Sequence, residues 1–141
     1  MIKRIALFGT SADPPTIGHK KILEELSKIY GFTISYVSNN PQKKHKEDLS
    51  IRSHLLETLI KDLDNPKILF NQRLSSQWAV ESIKKCKKIY EFHNLDFVIG
   101  SDLIKDIFYW KNFDKIIEEV SFLVILRKGY PLKSNTLKML E

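Results

Sequence analysis

Residues 9–19, with the sequence GTSADPPTIGH, combine backbone and side-chain groups that suit phosphate. Gly9 allows a sharp turn and a close approach of the backbone to a ligand, and two prolines stiffen the segment. Thr16 is a candidate helix N-cap and hydroxyl donor, Gly18 leaves room for a ligand, and His19 can donate a ring N–H to a phosphate oxygen. Because a helix N-terminus offers unpaired N–H groups and a positive dipole, the segment predicts a nucleotide-phosphate site. The nucleotide-binding residues assigned to it are Gly9, Thr10, Ser11 and Gly18.

Apolar runs and amphipathic helical patterns alternate along the chain, and they place this segment between a strand and a helix. In that helix Leu23, Leu26 and Ile29 recur at helical spacing, and Gly31 stands at its C-terminal end. The patterns predict strands over residues 2–8, 32–38, 67–70, 96–99 and 121–126. They predict helices over residues 18–30, around 55–60, and over 80–89, 103–108 and 113–119, with the start of another over 132–141.

This alternation predicts an α/β fold, a Rossmann-like doubly wound parallel five-stranded sheet with helices on both faces. The sequence shows no internal repeat and no linker, so we expect one domain over residues 1–141. In such sheets, ligands bind beyond the carboxyl ends of the strands, where the strand order reverses. The loops that follow the strands are therefore the places where a site is expected.

Two further loops carry polar groups that suit a nucleotide. The loop over residues 39–48 contains Lys43 and Lys44 and is followed by Arg52, which indicates a basic arm folded over a polyphosphate. A solvated charged loop is the alternative interpretation. After the fourth strand, Gly100 permits close approach to a base or ribose, and Asp102 can accept hydrogen bonds from hydroxyl groups.

Residues 16–19, Thr-Ile-Gly-His, resemble the H/T-x-G-H motif of nucleotidyltransferases, with Gly-Thr and Asp-Pro before it at the spacing typical of that superfamily. Trp110 and the segment Leu-Arg-Lys-Gly-Tyr at residues 126–130 extend the likeness. Over nearly its whole length the chain resembles bacterial nicotinate-nucleotide adenylyltransferases, of the type associated with cyanobacteria.

The resemblance implies adenylyl transfer from ATP to nicotinate mononucleotide, giving deamido-NAD and pyrophosphate. It assigns catalytic roles to Thr16 and His19 at the ATP phosphates and to Lys43 at the reacting phosphates, although Lys44 also fits that role. It adds Arg127 to the nucleotide-binding residues, and it implies Mg²⁺ that bridges phosphate oxygens with few direct protein ligands. The residues implied for the second substrate are His45, Ser76, Trp78 and Trp110, and for Trp110 core packing is the alternative.

The chain departs from the pattern of those enzymes in three places. Lys128 stands where they have a proline, and Ala79 stands where they have a threonine that helps to contact the pyridine ring. Those enzymes have a late Ile-Ser-Ser-Thr-x-x-Arg motif that binds ATP phosphates, and residues 134–139 match it only superficially. We therefore expect a chain that stops before this motif, as a fragment or a degenerate gene product would.

Three other functions are alternatives to adenylyl transfer onto nicotinate mononucleotide. Phosphopantetheine adenylyltransferases share the T-x-G-H form, but their later Arg-Gly-rich-Arg signature is replaced here by residues 99–102 and Trp110. A nucleotide-binding fragment with impaired catalysis would follow from the departure at the late motif. Nucleic-acid binding would use the net charge of +6, but the basic residues are scattered and lack interleaved aromatics, so we expect no nucleic-acid partner.

Composition excludes other classes of protein. The 141 residues contain no apolar run of the roughly 20 residues that a membrane helix needs, and no signal-peptide pattern, so we expect a cytoplasmic protein with no membrane partner. Cys86 is the only cysteine and is expected to pack in a helix rather than act as a nucleophile. Whether the chain forms a homo-oligomer is left open.

Overall fold

A computed structural model describes residues 4–39, 44–90 and 94–126, and in it five parallel strands form one sheet in the order β3-β2-β1-β4-β5. The strands are β1 (Arg4–Thr10), β2 (Phe32–Val37), β3 (Ile68–Phe70), β4 (Asn94–Gly100) and β5 (Ser121–Ile125). The helices are α1 (Ile17–Ile29), α2 (Leu49–Leu63), α3 (Ala79–Ile89), α4 (Ile104–Ile107) and α5 (Phe113–Glu119), with 3₁₀ turns over Gln72–Leu74 and Ser101–Leu103. The predicted α/β fold is therefore confirmed.

The sheet separates two hydrophobic cores, because successive side chains of a strand point to opposite faces. On one face, side chains of α1 and α2 such as Leu23 and Leu56 pack on Ala6 and Val98. On the other face, side chains of α3 and α5 such as Ile83 and Ile116 pack on the remaining strand positions. Helices on both faces make the sheet doubly wound.

Cys86 lies in the second of these cores and is almost completely buried. Burial raises the pKa of its thiol to about 12. The thiol is therefore protonated near neutral pH, and only the thiolate is a good nucleophile. The structure supports the packing role that the sequence predicted for this residue.

A crevice opens where β1 separates from β4. The pairing of β1 with β2 continues to the end of both strands, at Thr10 and Val37. The pairing of β1 with β4 stops at Leu7 and Phe97, although β4 continues to Gly100. Strand order also reverses at β1, which is where ligands bind in doubly wound sheets.

At the opposite end of the sheet, a partly buried polar cluster joins α1 to two strands. Arg4 of β1 forms an ion pair with Asp96 of β4, and the Tyr30 hydroxyl donates to Asp96 Oδ2 at 2.6 Å. Burial, and then the hydrogen bond to Asp96, raise the pKa of Tyr30 above its ordinary value. The cluster holds the C-terminal end of α1 against the sheet.

The described helices are all too short or too polar to span a bilayer. The strand predicted over residues 2–8 is observed from Arg4 to Thr10, and the helix predicted around 55–60 extends from Leu49 to Leu63. The helix predicted over 132–141 lies outside the described residues.

Tyr30→Phe is expected to lower the free energy of unfolding by about 1.5 kcal/mol, because it removes a buried hydrogen bond to a carboxylate. Tyr109→Phe is the control, since Tyr109 is 89% exposed and has no such contact to lose. Urea unfolding of both variants measures the difference. Equal stability of the two variants would show that the Tyr30 hydroxyl contributes nothing.

Candidate active site

His19 lies in the first turn of α1, and both nitrogens of its ring contact residues at the ends of the loop that joins β1 to α1. Its Nδ1 accepts a hydrogen bond of 2.9 Å from the backbone N–H of Thr16 and lies 3.1 Å from Thr16 Oγ1. Its Nε2 lies 3.0 Å from Thr10 Oγ1, at the end of β1. The ring therefore joins the two ends of the loop and lies at the mouth of the crevice.

These contacts determine which nitrogen carries the proton in the neutral ring. Because the Thr16 N–H donates to Nδ1, the proton is assigned to Nε2, which then donates to Thr10 Oγ1. Thr10 Oγ1 also accepts from the Ala12 N–H at 3.3 Å. With two donors directed at its oxygen, Thr10 has its own O–H to offer to a ligand.

Gly9 lies inside β1 and not in a turn, so the sharp turn expected there is wrong. It faces Tyr36 across the β1–β2 pair, and a Cβ atom on Gly9 would lie 2.5 Å from Cζ of the Tyr36 ring. The residue is small because a buried ring fills the space beside it. Its contact with a nucleotide stays a prediction, as it does for Ser11 in the loop and for Gly18 in the first turn of α1.

Asp13 connects this loop to the one that precedes α2. Its carboxylate accepts backbone N–H groups from Lys46 at 2.5 Å and from Glu47 at 3.2 Å. The hydrogen bond from Lys46 is the main cause that lowers the pKa of Asp13. His45, predicted to bind the second substrate, is largely buried, with its Nδ1 3.9 Å from Asp13 Oδ2.

Arg52 of α2 also connects the β1–α1 loop to the loop before α2, and its side chain is buried, with 2% of the residue exposed. Its Nε donates to the Glu47 carbonyl at 2.9 Å, and its Nη1 donates to the carbonyls of Ser11 at 3.0 Å and Ser38 at 3.2 Å. The interpretation of Arg52 as an extension of the basic arm is therefore wrong. Its charge supports the loops from inside the protein.

On the other face of the sheet, Ser76 and Trp78 mark the start of α3. Ser76 Oγ donates to the Trp78 carbonyl at 2.8 Å and contacts Ser82 Oγ at 2.9 Å. The preceding residue, Ser75, donates to the carbonyl of Val37 at the end of β2, at 2.8 Å. These bonds place the start of α3 beside the carboxyl end of β2.

Trp110 approaches from the β4 side of the crevice. Its ring packs edge-on against Phe97 of β4 with the ring centres 5.9 Å apart, so it contributes to the core while remaining partly exposed. The next residue, Lys111, places its Nζ 5.4 Å from the centre of the Trp78 ring. Trp78 and Trp110, both predicted for the second substrate, thus pack against the same core, on the face of the sheet opposite α1.

Gly100 and Asp102 lie where β4 ends. Gly100 has φ −80°, an ordinary extended conformation, and Asp102 lies in the 3₁₀ turn that follows. Their position at the carboxyl edge is as predicted, and their contacts with a base or ribose stay predictions. Lys43 and Arg127 lie outside the described residues. Lys44, the alternative to Lys43, is exposed in the loop before α2.

Sequence reasoning missed the roles of Asp13, Arg52, Tyr36 and Lys111. A signal was present for Arg52, because it stands four residues before Leu56 and eight before Ile60, on the buried stripe of α2. No comparable signal existed for Tyr36 or Lys111, whose contacts join distant parts of the chain.

Comparison with known proteins decides the family. Residues 7–140 match the cytidylyltransferase-like family. The chain belongs to this family. A protein of Synechocystis sp., described as a probable nicotinate-nucleotide adenylyltransferase, is 29% identical over 97% of this chain and 74% of its own length. A protein of Clostridium tetani with the same description is 30% identical over 93% of this chain and 69% of its own length.

A similar solved structure confirms the fold. The nicotinic acid mononucleotide adenylyltransferase of Plasmodium falciparum, solved in complex with NaAD, superposes with a TM-score of 0.83 at 24% identity. The match covers 96% of this chain and 70% of the Plasmodium chain. At that identity the likeness supports the fold alone.

Gly9→Ala is expected to lower the free energy of unfolding by about 2 kcal/mol, because the new methyl group overpacks the site against the buried Tyr36 ring. Gly18→Ala is the matched control, since a Cβ there meets only Thr16 Oγ1, at 3.3 Å. Thermal and urea unfolding compare the two variants. A Gly9→Ala variant as stable as Gly18→Ala would contradict the packing role.

Asp13→Asn is expected to reduce the dependence of stability on pH on the acidic side. The pKa of Asp13 in the folded chain lies below the ordinary value of 3.8, so between the two values the unfolded chain binds more protons. The stabilisation is complete above the unfolded pKa and is lost as the pH falls through the folded one. The variant should therefore be less stable than the unsubstituted chain at about pH 6, and this difference should shrink towards about pH 2.

Unfolding curves across that range test the prediction, with the exposed Asp62→Asn as control. An Asp13→Asn deficit that stays constant with pH would mean that the Asp13 carboxylate is not preferentially ionised in the folded chain.

Proposed function

We propose that this chain transfers an adenylyl group from ATP to nicotinate mononucleotide, with deamido-NAD and pyrophosphate as products. The observation that carries the proposal is the His19 ring, held by Thr16 and Thr10 at the mouth of the crevice between β1 and β4. The relatives described as nicotinate-nucleotide adenylyltransferases, matched over most of the chain, support the same reaction.

In this reaction a phosphate oxygen of the mononucleotide attacks the α-phosphorus of ATP. A bond forms between that oxygen and the α-phosphorus, the bond from the α-phosphorus to the bridging oxygen breaks, and pyrophosphate leaves with the bonding electrons. The attacking phosphate is already an anion, so no serine or cysteine nucleophile is required. The protein contributes in-line positioning and stabilisation of the charge that develops on the phosphates.

His19 and Thr10 supply donors for that charge. A phosphate oxygen would take the place of Thr10 Oγ1 as the acceptor of the His19 Nε2–H, and the Thr10 hydroxyl beside the ring can direct its own O–H at the phosphates. Thr16 acts on the ring from the other side, because its N–H holds Nδ1 as an acceptor. In this proposal Thr16 orients His19, while the first turn of α1 adds backbone N–H groups for the phosphates.

The remaining assignments are those made from the sequence. Lys43, with Lys44 as alternative, provides positive charge for the reacting phosphates, and Arg127 and Asp102 bind the nucleotide. Among the described residues, no group of three or more His, Cys, Asp or Glu side chains could hold a metal ion. We therefore propose that ATP enters as its magnesium complex, with Mg²⁺ carried by the phosphates. A cytoplasmic location is part of the same proposal.

A pyrophosphate-release assay tests the function directly. The chain is incubated with ATP and Mg²⁺ and with nicotinate mononucleotide, nicotinamide mononucleotide or 4′-phosphopantetheine as acceptor. We expect release with the pyridine mononucleotides and formation of the corresponding dinucleotide. Release with phosphopantetheine alone would indicate the other adenylyl transfer, and ATP binding without release would indicate a nucleotide-binding protein.

His19→Ala is expected to lower kcat about 100-fold while the KM for ATP changes by about twofold, because the lost donor acts mainly on charge that develops in the transition state. His54→Ala is the control, since His54 is an exposed histidine on α2. Steady-state kinetics with pyridine mononucleotide in excess separate the two parameters. An unchanged kcat would remove His19 from the catalytic group.

A further inference from the structure

Lys111 lies on the side of the crevice that faces away from α1 and His19. It directly follows Trp110, whose ring packs on Phe97 of β4, and its Nζ lies 5.4 Å from the centre of the Trp78 ring. Trp78 precedes α3 beside the carboxyl end of β2. Since β1 lies between β2 and β4 in the sheet, the Lys111 side chain reaches from one flank of the crevice to the other.

The groups collected there suit an aromatic ring that carries a carboxylate. The faces of Trp78 and Trp110 can stack on a pyridinium ring, and the ammonium of Lys111 can pair with an anion. Within the described part of the chain, the ion pairs involve other residues and leave the Lys111 ammonium in contact with an indole ring. An exposed contact of this kind is weak, so a carboxylate can attract the ammonium without a large loss.

The residues at the start of α3 leave the Lys111 ammonium as the group there that can pair with a carboxylate of the acceptor. Ala79, the residue after Trp78, begins α3 and offers a carboxylate no side-chain donor. Lys111 is the cation that the structure places against Trp78. The carboxylate of an acceptor stacked beside Trp78 would therefore find its charged partner in Lys111.

We propose that Lys111 determines specificity for the acid over the amide by pairing with the carboxylate of nicotinate mononucleotide. The inference rests on the proposed function and extends it to the choice of pyridine substrate. Nicotinamide mononucleotide has the same shape but an uncharged amide in place of the carboxylate, so it gains nothing comparable from the ammonium. Lys111 binds the substrate in this proposal and takes no part in the bond changes.

Tryptophan fluorescence reports on this side of the crevice, because the chain has two tryptophans and both lie there. Nicotinate mononucleotide and nicotinamide mononucleotide are titrated separately into the unsubstituted chain and into Lys111→Met, Lys111→Arg and Lys105→Met. Lys105 is an exposed lysine of α4 and gives the matched control for loss of one positive charge.

Lys111→Met is expected to raise the Kd for nicotinate mononucleotide about tenfold, and the Kd for nicotinamide mononucleotide should stay within about twofold. Lys111→Arg should retain the preference for the acid, and Lys105→Met should bind both ligands like the unsubstituted chain. If Lys111→Met weakens both ligands equally, or neither, the inference is overturned.

The binding measurement also separates this inference from the proposed function. A chain that binds nicotinate mononucleotide through Lys111 but releases no pyrophosphate from ATP would overturn the proposed reaction and leave the specificity residue in place. A chain that releases pyrophosphate and shows the same preference with and without Lys111 would do the reverse.

Discussion

The orientation of the His19 imidazole ring depends on contacts with Thr10 and Thr16, at the two ends of the loop between β1 and α1. His19 can present an Nε2–H to the crevice only while the Thr16 N–H occupies Nδ1, and only while the end of β1 keeps Thr10 at the other edge of the ring. The loop between these contacts contains Ala12 with φ 44°, a left-handed conformation that costs a non-glycine residue on the order of 1 kcal/mol. A loop of this shape needs support from outside itself.

That support comes from two charged groups that bind backbone. Arg52 donates to carbonyls of the β1–α1 loop and of the segment between β2 and α2, and Asp13 accepts N–H groups from that same segment. A buried guanidinium is costly unless its donors are paired, and here carbonyl oxygens, held in position by the strands and by α2, pair with it. The two loops are consequently coupled, since neither can move far without leaving a buried charge unsatisfied.

The alternation of strands and helices, and the edge of the sheet that carries the candidate site, were predictable because they follow from local patterns. Apolar runs and helical spacing depend on neighbours within a few residues, so the helix predicted over residues 113–119 coincides with α5. The start of α2 was missed for a physical reason. Its inward-facing position in the first turns is Arg52, which a hydrophobic pattern reads as a surface residue although it is buried. Gly9 was assigned to the site for its flexibility, whereas its neighbour Tyr36, 27 positions further along the chain, explains its size.

The same distinction explains why the second side of the crevice could be predicted only in part. The types of Trp78 and Trp110 suggested aromatic contacts, but nothing in the sequence brings Lys111 to Trp78, because that contact depends on how α3 and the segment after α4 pack on the same sheet face. The proposed phosphate site is built from consecutive residues around one helix start and is therefore visible as a motif. The pocket for an acceptor is built from side chains of separate elements, so related chains with the same motif can differ in the groups that meet the acceptor. The loop beside His19 thus predicts a class of chemistry, whereas the proposed choice of acceptor depends on residues that meet only in the folded chain.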